Sequence, residues 1–386
     1  MMQSTRLRSI GAYLFADLDR RQEALEAKGV DVISLSTGDP DIPTPEHVVK
    51  AMEEGARDPR THRYPPYRGT GEFRKAAAAW FARRFGIEVD ADREVLALIG
   101  SKEGLAHLPW AVLNPGDAAL VPDPGYPVYR SATIMAEGEP VALPLRGARG
   151  FLPDFEGVPA DALRKARILF LNYPNNPTGA AADLDFFARA VAFAKTHHLL
   201  LVHDNAYSEV TYDGYRAASV LQVPGAKDVA IELHSLSKSF NMTGWRIAFA
   251  VGNADAVAAL GTLKTNVDSG VFTAVQRAGV AALTGPQDVL APTLAIYKAR
   301  RDRLVAGLKS VGWNPPTPRA TLYVWMPTPD GMSSVAFAGD VLEKTGVVIT
   351  PGVGYGQQGE GYVRLSLTTP DARIDEAIAR IKRAYG

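Results

Sequence analysis

The feature that most constrains this chain is an alternation that begins near residue 95. Short apolar runs of strand length alternate with longer helical stretches, and a polar turn follows each run. Residues 95–99 read as a strand, and Gly100-Ser101-Lys102 leads into a helix. Ala119-Leu120-Val121 precedes Asp123-Pro124-Gly125-Tyr126-Pro127. Residues 168–171 read as a strand ahead of Asn172-Tyr173-Pro174-Asn175-Asn176-Pro177-Thr178-Gly179, and a helix follows over 183–196. Residues 199–202 run into His203-Asp204-Asn205-Ala206-Tyr207, and 229–233 into His234-Ser235-Leu236-Ser237-Lys238. Apolar strands separated by helices predict a parallel sheet covered on both faces. In such α/β folds ligands bind beyond the carboxyl ends of the strands, where these polar turns fall.

The flanks have a different texture. Residues 46–56 and 72–85 read as helices, while 36–45 is too rich in Pro and Gly for either regular state. Leu14, Leu18 and Leu25 are spaced for one face of a helix ending near Gly29, and 32–35 reads as a short strand. Beyond about residue 285 come a long helix over 289–308, strands over 347–350 and 362–367, and a closing helix over 370–385. The expected division is a large α/β domain over 46–285 and a smaller α+β domain made of 1–45 with 286–386.

Composition narrows function by exclusion. Zero formal net charge gives no electrostatic case for nucleic acid or an anionic membrane as partner. The absence of cysteine excludes disulfides, thiolate metal sites and a cysteine nucleophile. No run approaches eighteen apolar residues, and no apolar segment follows the arginines near the N-terminus. A cytoplasmic protein without a signal peptide or membrane span is expected.

The polar turns carry the chemistry. Lys238 stands at the mouth of an apolar strand among small hydroxyl residues. A lysine there is costly unless it has a covalent or ionic partner, and desolvation lowers its pKa and makes the amine nucleophilic. Gly100-Ser101-Lys102, at a helix start, offers backbone N–H groups and a hydroxyl to an anion. Ser235, Ser237 and Arg246 add hydroxyls and a guanidinium fork suited to phosphate. Asp204 ends a buried strand, where a bare carboxylate is expensive and a protonated ring nitrogen would be a suitable partner. Asn176 and Tyr207 are both able to hydrogen-bond a ring oxygen. Phosphate, pyridinium, phenolate and a lysine amine are together the requirements of pyridoxal phosphate.

With these residues in place, the chain resembles the class I/II aminotransferases of the fold-type I pyridoxal-phosphate family. The specific parts are Asn175-Asn176-Pro177-Thr178-Gly179 and Ser235-Leu236-Ser237-Lys238 with Arg246. Matching segments extend from Ser36-Thr37-Gly38-Asp39-Pro40-Asp41 to Tyr362-Val363-Arg364-Leu365-Ser366. The resemblance implies a large, mixed but mostly parallel seven-stranded sheet domain beside a smaller α+β domain. It implies pyridoxal 5′-phosphate held on Lys238 as a Schiff base, with Asp204 partnering the pyridine nitrogen and Tyr207 and Asn176 contacting the ring O3′. Tyr126 takes the place of the aromatic that stacks on the ring. The Gly100-Ser101-Lys102 turn, Ser235, Ser237 and Arg246 match the phosphate cup, and Tyr64 the tyrosine that reaches a phosphate across a homodimer interface. Arg364 matches the arginine that grips the substrate α-carboxylate, with Gly38 and Asn176 beside the substrate. The implied partners are a small amino acid and a 2-oxo acid, exchanged by ping-pong kinetics, with Lys238 moving the proton.

There are departures from the family pattern. Asn205 stands where an acidic residue is usual, and His203 before it is uncommon, so His203 reads as a supporting or packing residue. Lys264-Thr265-Asn266-Val267-Asp268-Ser269-Gly270 falls where the best-known aspartate aminotransferases place an arginine for the partner's distal carboxylate. Here Asn266 and Asp268 are candidates to accept hydrogen bonds from a second substrate ammonium. This segment, with 203–209 and 64–71, most resembles the bacterial LL-diaminopimelate aminotransferase branch. A broad aspartate, alanine or aromatic aminotransferase and a C–S lyase on the same scaffold remain open alternatives. Gly354-Tyr355-Gly356-Gln357-Gln358-Gly359 fits a dinucleotide-binding pattern, but it precedes a strand instead of opening a helix, so a mobile loop near Arg364 is expected. Arg83-Arg84 reads as a solvated helix face.

Overall fold

Seven strands form one sheet in the order Val95–Leu98, Ala248–Gly252, Ala230–Ser235, Leu200–Asp204, Ala166–Asn172, Ala118–Asp123 and Glu139–Pro144. The structure is a computed structural model describing residues 3–10 and 16–386. Leu14, at the head of the expected first helix, lies outside the described residues, and that helix is seen over Ala16–Glu26. Every adjacent pair in the large sheet is parallel except those made by Ala248–Gly252, which runs against both neighbours. The sheet is thus mixed and mostly parallel, as expected. Its edge strand Glu139–Pro144 escapes a reading by apolar runs because Glu139, Pro140 and Pro144 interrupt it, and proline is tolerated at an edge.

Alternate side chains along each strand serve opposite faces. Leu169 and Leu171 enter one apolar cluster, Ile168 and Phe170 another. Helices cover both clusters. Gly71–Phe85 presents Phe73, Trp80 and Phe81 to the first, and Ser101–Val112 presents Leu105 and Leu108 to the second. The helix expected over 183–196 is Leu184–Thr196; Asp183 is its cap, accepting the Phe186 N–H at 2.8 Å.

A third cluster collects Ile33, Leu35, Tyr297, Leu304, Val324, Phe337 and Ile374. It also takes Ala206, Tyr207, Val210 and Tyr212 from the segment after the Leu200–Asp204 strand, which ties it to the large sheet. Its framework is an antiparallel sheet of Thr350–Pro351, Tyr362–Ser366 and Tyr323–Pro327, with the helices Leu290–Lys309 and Asp371–Tyr385. The strand expected over 347–350 is two pieces. Val347–Val348 pairs with Ile33–Ser34, and Thr350–Pro351 joins the other sheet.

One expectation about the surface is corrected. Arg84 is not on a solvated face: its Nε is 2.9 Å from Glu209, and it also donates to the Ser208 and Ala217 carbonyls. Arg83 donates to the Leu283 carbonyl at 2.6 Å. Arg83 keeps an exposed side chain, while Arg84 is a contact between its helix and the turn that follows Asp204. Among the described residues no helix is long and apolar enough to cross a membrane.

Candidate functional site

The carboxyl ends of the parallel strands open on a cavity of about 550 Å³. Asn172, Asp204 and Ser235, the last residues of three of those strands, line it. The one reversed strand brings its beginning to the same edge, so Arg246 arrives there too. Ser101, Lys102, Tyr126, Asn176, Tyr207, Ser237 and Lys238 complete the large-sheet side; Gly38 and Arg364 close it from the other.

Lys238 lies in the short helix Leu236–Ser239, and its Nζ donates to the Gly38 carbonyl at 2.6 Å. Burial lowers its pKa, with Tyr323 and Asp39 acting against that and Arg364 and Arg246 with it. The amine therefore spends more time in its nucleophilic form than an exposed lysine would. Gly38 is needed for close approach: a Cβ there would fall 2.0 Å from the Tyr323 hydroxyl.

Asp204 is buried, and burial raises its pKa against the pull of Tyr129 and His203. Tyr129 donates to its Oδ2 at 2.8 Å, and Asn172 donates to its backbone carbonyl at 2.7 Å. Its Oδ1 is buried with no donor among the described residues. A carboxylate oxygen in that condition fits a protonated ring nitrogen. Tyr207 shares a hydrogen bond of 2.9 Å with Tyr323, and burial raises the pKa of its hydroxyl, so Tyr207 stays a neutral hydroxyl at the cavity wall. Tyr126 packs edge-on to Tyr129 at 5.9 Å, and burial pushes its hydroxyl up to about 12.

The phosphate side is built from backbone and cations. Gly100 takes φ +78° at the head of the helix Ser101–Val112, a conformation that favours glycine. A Cβ there would lie 2.2 Å from the Arg246 guanidinium. Arg246 donates to the Thr243 carbonyl at 2.8 Å and keeps an exposed side chain. Ser235 and Ser237 are buried beside it. The uncapped helix start, two hydroxyls and a guanidinium suit a phosphate.

On the opposite wall Arg364 donates from Nη1 to Asn176 Oδ1 at 2.9 Å and from Nη2 to the Ser36 carbonyl at 2.5 Å. It lies over the rings of Tyr323 and Tyr355 at 4.1 and 4.9 Å. Such a held, buried guanidinium is suited to a carboxylate.

Three of the sequence-derived residues stand apart from the cavity. Tyr64 is 88% exposed. Asn266 is exposed on the last turn of the helix Ala254–Val267 and donates to the Thr262 carbonyl at 3.0 Å. Asp268 caps that helix, with Oδ2 taken by Lys264 Nζ at 2.9 Å and Oδ1 by the Gly270 N–H at 2.8 Å. Within its own chain Asp268 therefore has a turn-stabilising set of contacts instead of an oxygen aimed at a ligand. Lys264 is likewise fully buried and paired.

The departures at 203 and 205 have one physical cause. Glu232 is fully buried and takes hydrogen bonds from His203 at 2.9 Å, His234 at 2.6 Å, Asn205 at 3.1 Å and Ser219 at 2.8 Å. An acidic residue at 205 would set two carboxylates together there; an amide is a donor. The Gly354–Gly359 loop is held rather than free: Gln358 N–H donates to Asp123 Oδ1 at 2.9 Å and Gly125 N–H to the Tyr355 carbonyl at 2.8 Å. It forms 3-10 turns before the Tyr362–Ser366 strand, so it opens no helix.

Sequence reasoning missed Tyr129 and Tyr323. Tyr129 had no local signal, since it stands on the helix Val128–Met135 and meets Asp204 only across 75 residues. Tyr323 had none, since it comes from a strand 116 residues away from Tyr207.

Comparison with known proteins agrees with this geometry. The family model for aminotransferase class I and II matches residues 30–381. LL-diaminopimelate aminotransferase of Desulforudis audaxviator is 53% identical over 100% of this chain and 98% of its own length. That of Moorella thermoacetica is 53% identical over 100% and 99%. Among solved structures, apo-BacF from Bacillus subtilis superposes with a TM-score of 0.95 at 40% identity, covering 100% of both chains. The probable N-succinyldiaminopimelate aminotransferase from Thermus thermophilus gives 0.90 at 40% identity, covering 96% of this chain and 99% of that one.

Proposed function

The chain belongs to the class I and II aminotransferases, fold-type I enzymes that depend on pyridoxal phosphate, and from that premise we propose that its amino donor is LL-diaminopimelate and its acceptor 2-oxoglutarate. What supports the donor is identity above half, over essentially the whole chain, to relatives of that name from several organisms. What supports the chemistry is one observation, the half-buried Lys238 amine facing a cavity that also holds Asp204 with a free buried oxygen.

The residues divide the work. Arg364, steadied by Asn176 and the Ser36 carbonyl, takes the substrate α-carboxylate. Lys238 Nζ would take the proton from the substrate Cα and return it to the carbon that the cofactor's aldehyde supplies, with the Gly38 carbonyl to orient the amine. Asp204, held by Tyr129, would keep a ring nitrogen protonated. Tyr207 and Asn176 would hydrogen-bond the ring oxygen, and Tyr126 would pack on the ring. Gly100, Ser101, Lys102, Ser235, Ser237 and Arg246 would hold the phosphate. When bound, pyridoxal phosphate supplies the carbonyl that accepts the amino group and the ring that accepts electrons.

We read the protein as a homodimer with composite sites. The 88% exposure of Tyr64, with Tyr67, Val267 and Phe272 also exposed, supports a surface that a second copy covers. Mixing Lys238→Ala subunits with Tyr64→Phe subunits is expected to regenerate some sites of wild-type rate; sedimentation as a fully active monomer would refute the reading.

The donor is tested by kcat/KM for a panel of amino acids with 2-oxoglutarate. LL-diaminopimelate is expected to lead. If aspartate, alanine or phenylalanine exceeds it by about tenfold, roughly 1.4 kcal/mol of transition-state stabilisation, the proposal is wrong.

A further inference from the structure

A carboxylate sits in the first turn of the helix whose start forms the anion site. Glu103 is the third residue of Ser101–Val112. Its Oε2 accepts the Ile99 N–H at 2.9 Å, and its Oε1 bonds His107 Nδ1 at 2.7 Å. An anion there draws on the same positive helix end that a bound phosphate uses, and repels it. The chain also supplies the remedy. Lys264, fully buried on the helix Ala254–Val267, puts its Nζ 2.9 Å from Glu103 Oε2 and 2.9 Å from Asp268 Oδ2. Ligand atoms of Glu103, His107 and Asp268 lie within 4.8 Å of one another, a spacing that would suit a metal ion. The ammonium already serves as their cation.

We propose that Lys264 is a positioning residue for cofactor binding: its buried ammonium, shared with Asp268, offsets the charge of Glu103 in the first turn and so keeps the helix start open to the phosphate group. This rests on the reading that Gly100-Ser101-Lys102 takes that group. A lysine buried only to hold a turn would work equally for any ligand of the cavity. One buried to neutralise Glu103 matters for anions alone.

The experiment uses cofactor-stripped protein and three probes: pyridoxal phosphate, pyridoxal without phosphate, and inorganic phosphate as competitor, each followed by equilibrium titration. In Lys264→Met, affinity for pyridoxal phosphate and for inorganic phosphate is expected to fall about tenfold or more, while pyridoxal affinity changes less than about twofold. Glu103→Gln added to Lys264→Met is expected to restore most of the phosphate affinity, because the carboxylate in the helix's own first turn is gone and only Asp268, on another helix, is left without its cation. Parallel losses for pyridoxal and pyridoxal phosphate, or unchanged phosphate affinity in Lys264→Met, would overturn the proposal. Glu103→Gln alone keeps it testable if Lys264→Met does not fold: phosphate binding as tight as wild type or tighter supports it, and a loss of about tenfold overturns it. If inorganic phosphate does not compete in wild type, the reading of the helix start fails, and the proposal with it. Competition in wild type with no effect of Lys264→Met fails the proposal alone.

Discussion

Asp204 and Lys238 show how much one side chain decides. Both were legible in the sequence for the same reason: each is a charged residue at the end of an apolar strand, where its charge needs an explanation. The supporting tyrosines were not legible, because Tyr129 reaches Asp204 from 75 residues away and Tyr323 reaches Tyr207 from 116, and only the folded chain makes them neighbours. Asp204→Asn keeps a side chain for Tyr129 to hold but loses the negative charge. Its kcat is expected to fall by about 10²–10³, measured on variant shown by absorbance to retain cofactor. Lys238 makes a second expectation, about pH. Burial depresses its pKa in the folded protein, so the unfolded chain binds more protons between that lowered value and the ordinary 10.5. Stability of the cofactor-free protein contributed by this group therefore rises with pH across that window. Thermal melts of wild type minus Lys238→Met, followed from neutral pH upward, are expected to show that rise; a flat difference contradicts it.

At the scale of elements, Glu232 joins two strands through side chains as well as backbone. It stands on Ala230–Ser235, and His203 comes from Leu200–Asp204, the strand that delivers Asp204 to the cavity. Burial opposes its ionisation, but His203 and His234 outweigh that and hold its pKa well below the usual carboxylate range. Glu232→Ala leaves buried donors from His203, His234, Asn205 and Ser219 without an acceptor. A loss of about 3–5 kcal/mol in urea unfolding is expected. The unfolded glutamate binds more protons below 4.5, so the stability it contributes is present above 4.5 and drains away as pH falls below it. Elements with a clear apolar period were legible to within a residue or two, as with Glu46–Arg57 and Asp371–Tyr385. The proline-broken edge strand was not, and neither was the division of 347–350 between two sheets, since pairing partners decide it and local pattern does not.

At the scale of the molecule, residues 36–44 bridge the two sides of the cavity. Thr368 donates to the Thr37 carbonyl at 2.7 Å, while Lys238 donates to Gly38 and Thr44 donates to the Asn241 carbonyl at 2.8 Å. Buried Arg300 anchors the segment by a two-point bond to Asp41 at 2.7 and 2.9 Å and also holds Asp371. We expect Asp41→Asn to speed hydrogen exchange over 36–44 and to raise KM for the amino donor several-fold, about 1 kcal/mol, with a smaller change in kcat; unchanged exchange there would exclude this anchoring. We propose the division 46–285 against 1–45 with 286–386, and the contacts of this bridge with both sides support it. The reversed strand has its own consequence, for engineering. Gly214 and Gly244 have equal room, both being exposed with nothing within 4 Å of where a Cβ would stand, and by backbone Gly244 is the more permissive, since Gly214 takes φ +77°. Yet Gly244 lies on a return loop pinned at both ends by the sheet, where Ser235 faces Ala248, and Lys238 and Arg246 share that tether. A peptide spliced in at Gly214 lengthens a surface turn, whereas one spliced in at Gly244 pries the lysine and the arginine apart. Tolerance to grafting in this scaffold is set by topology and not by local room.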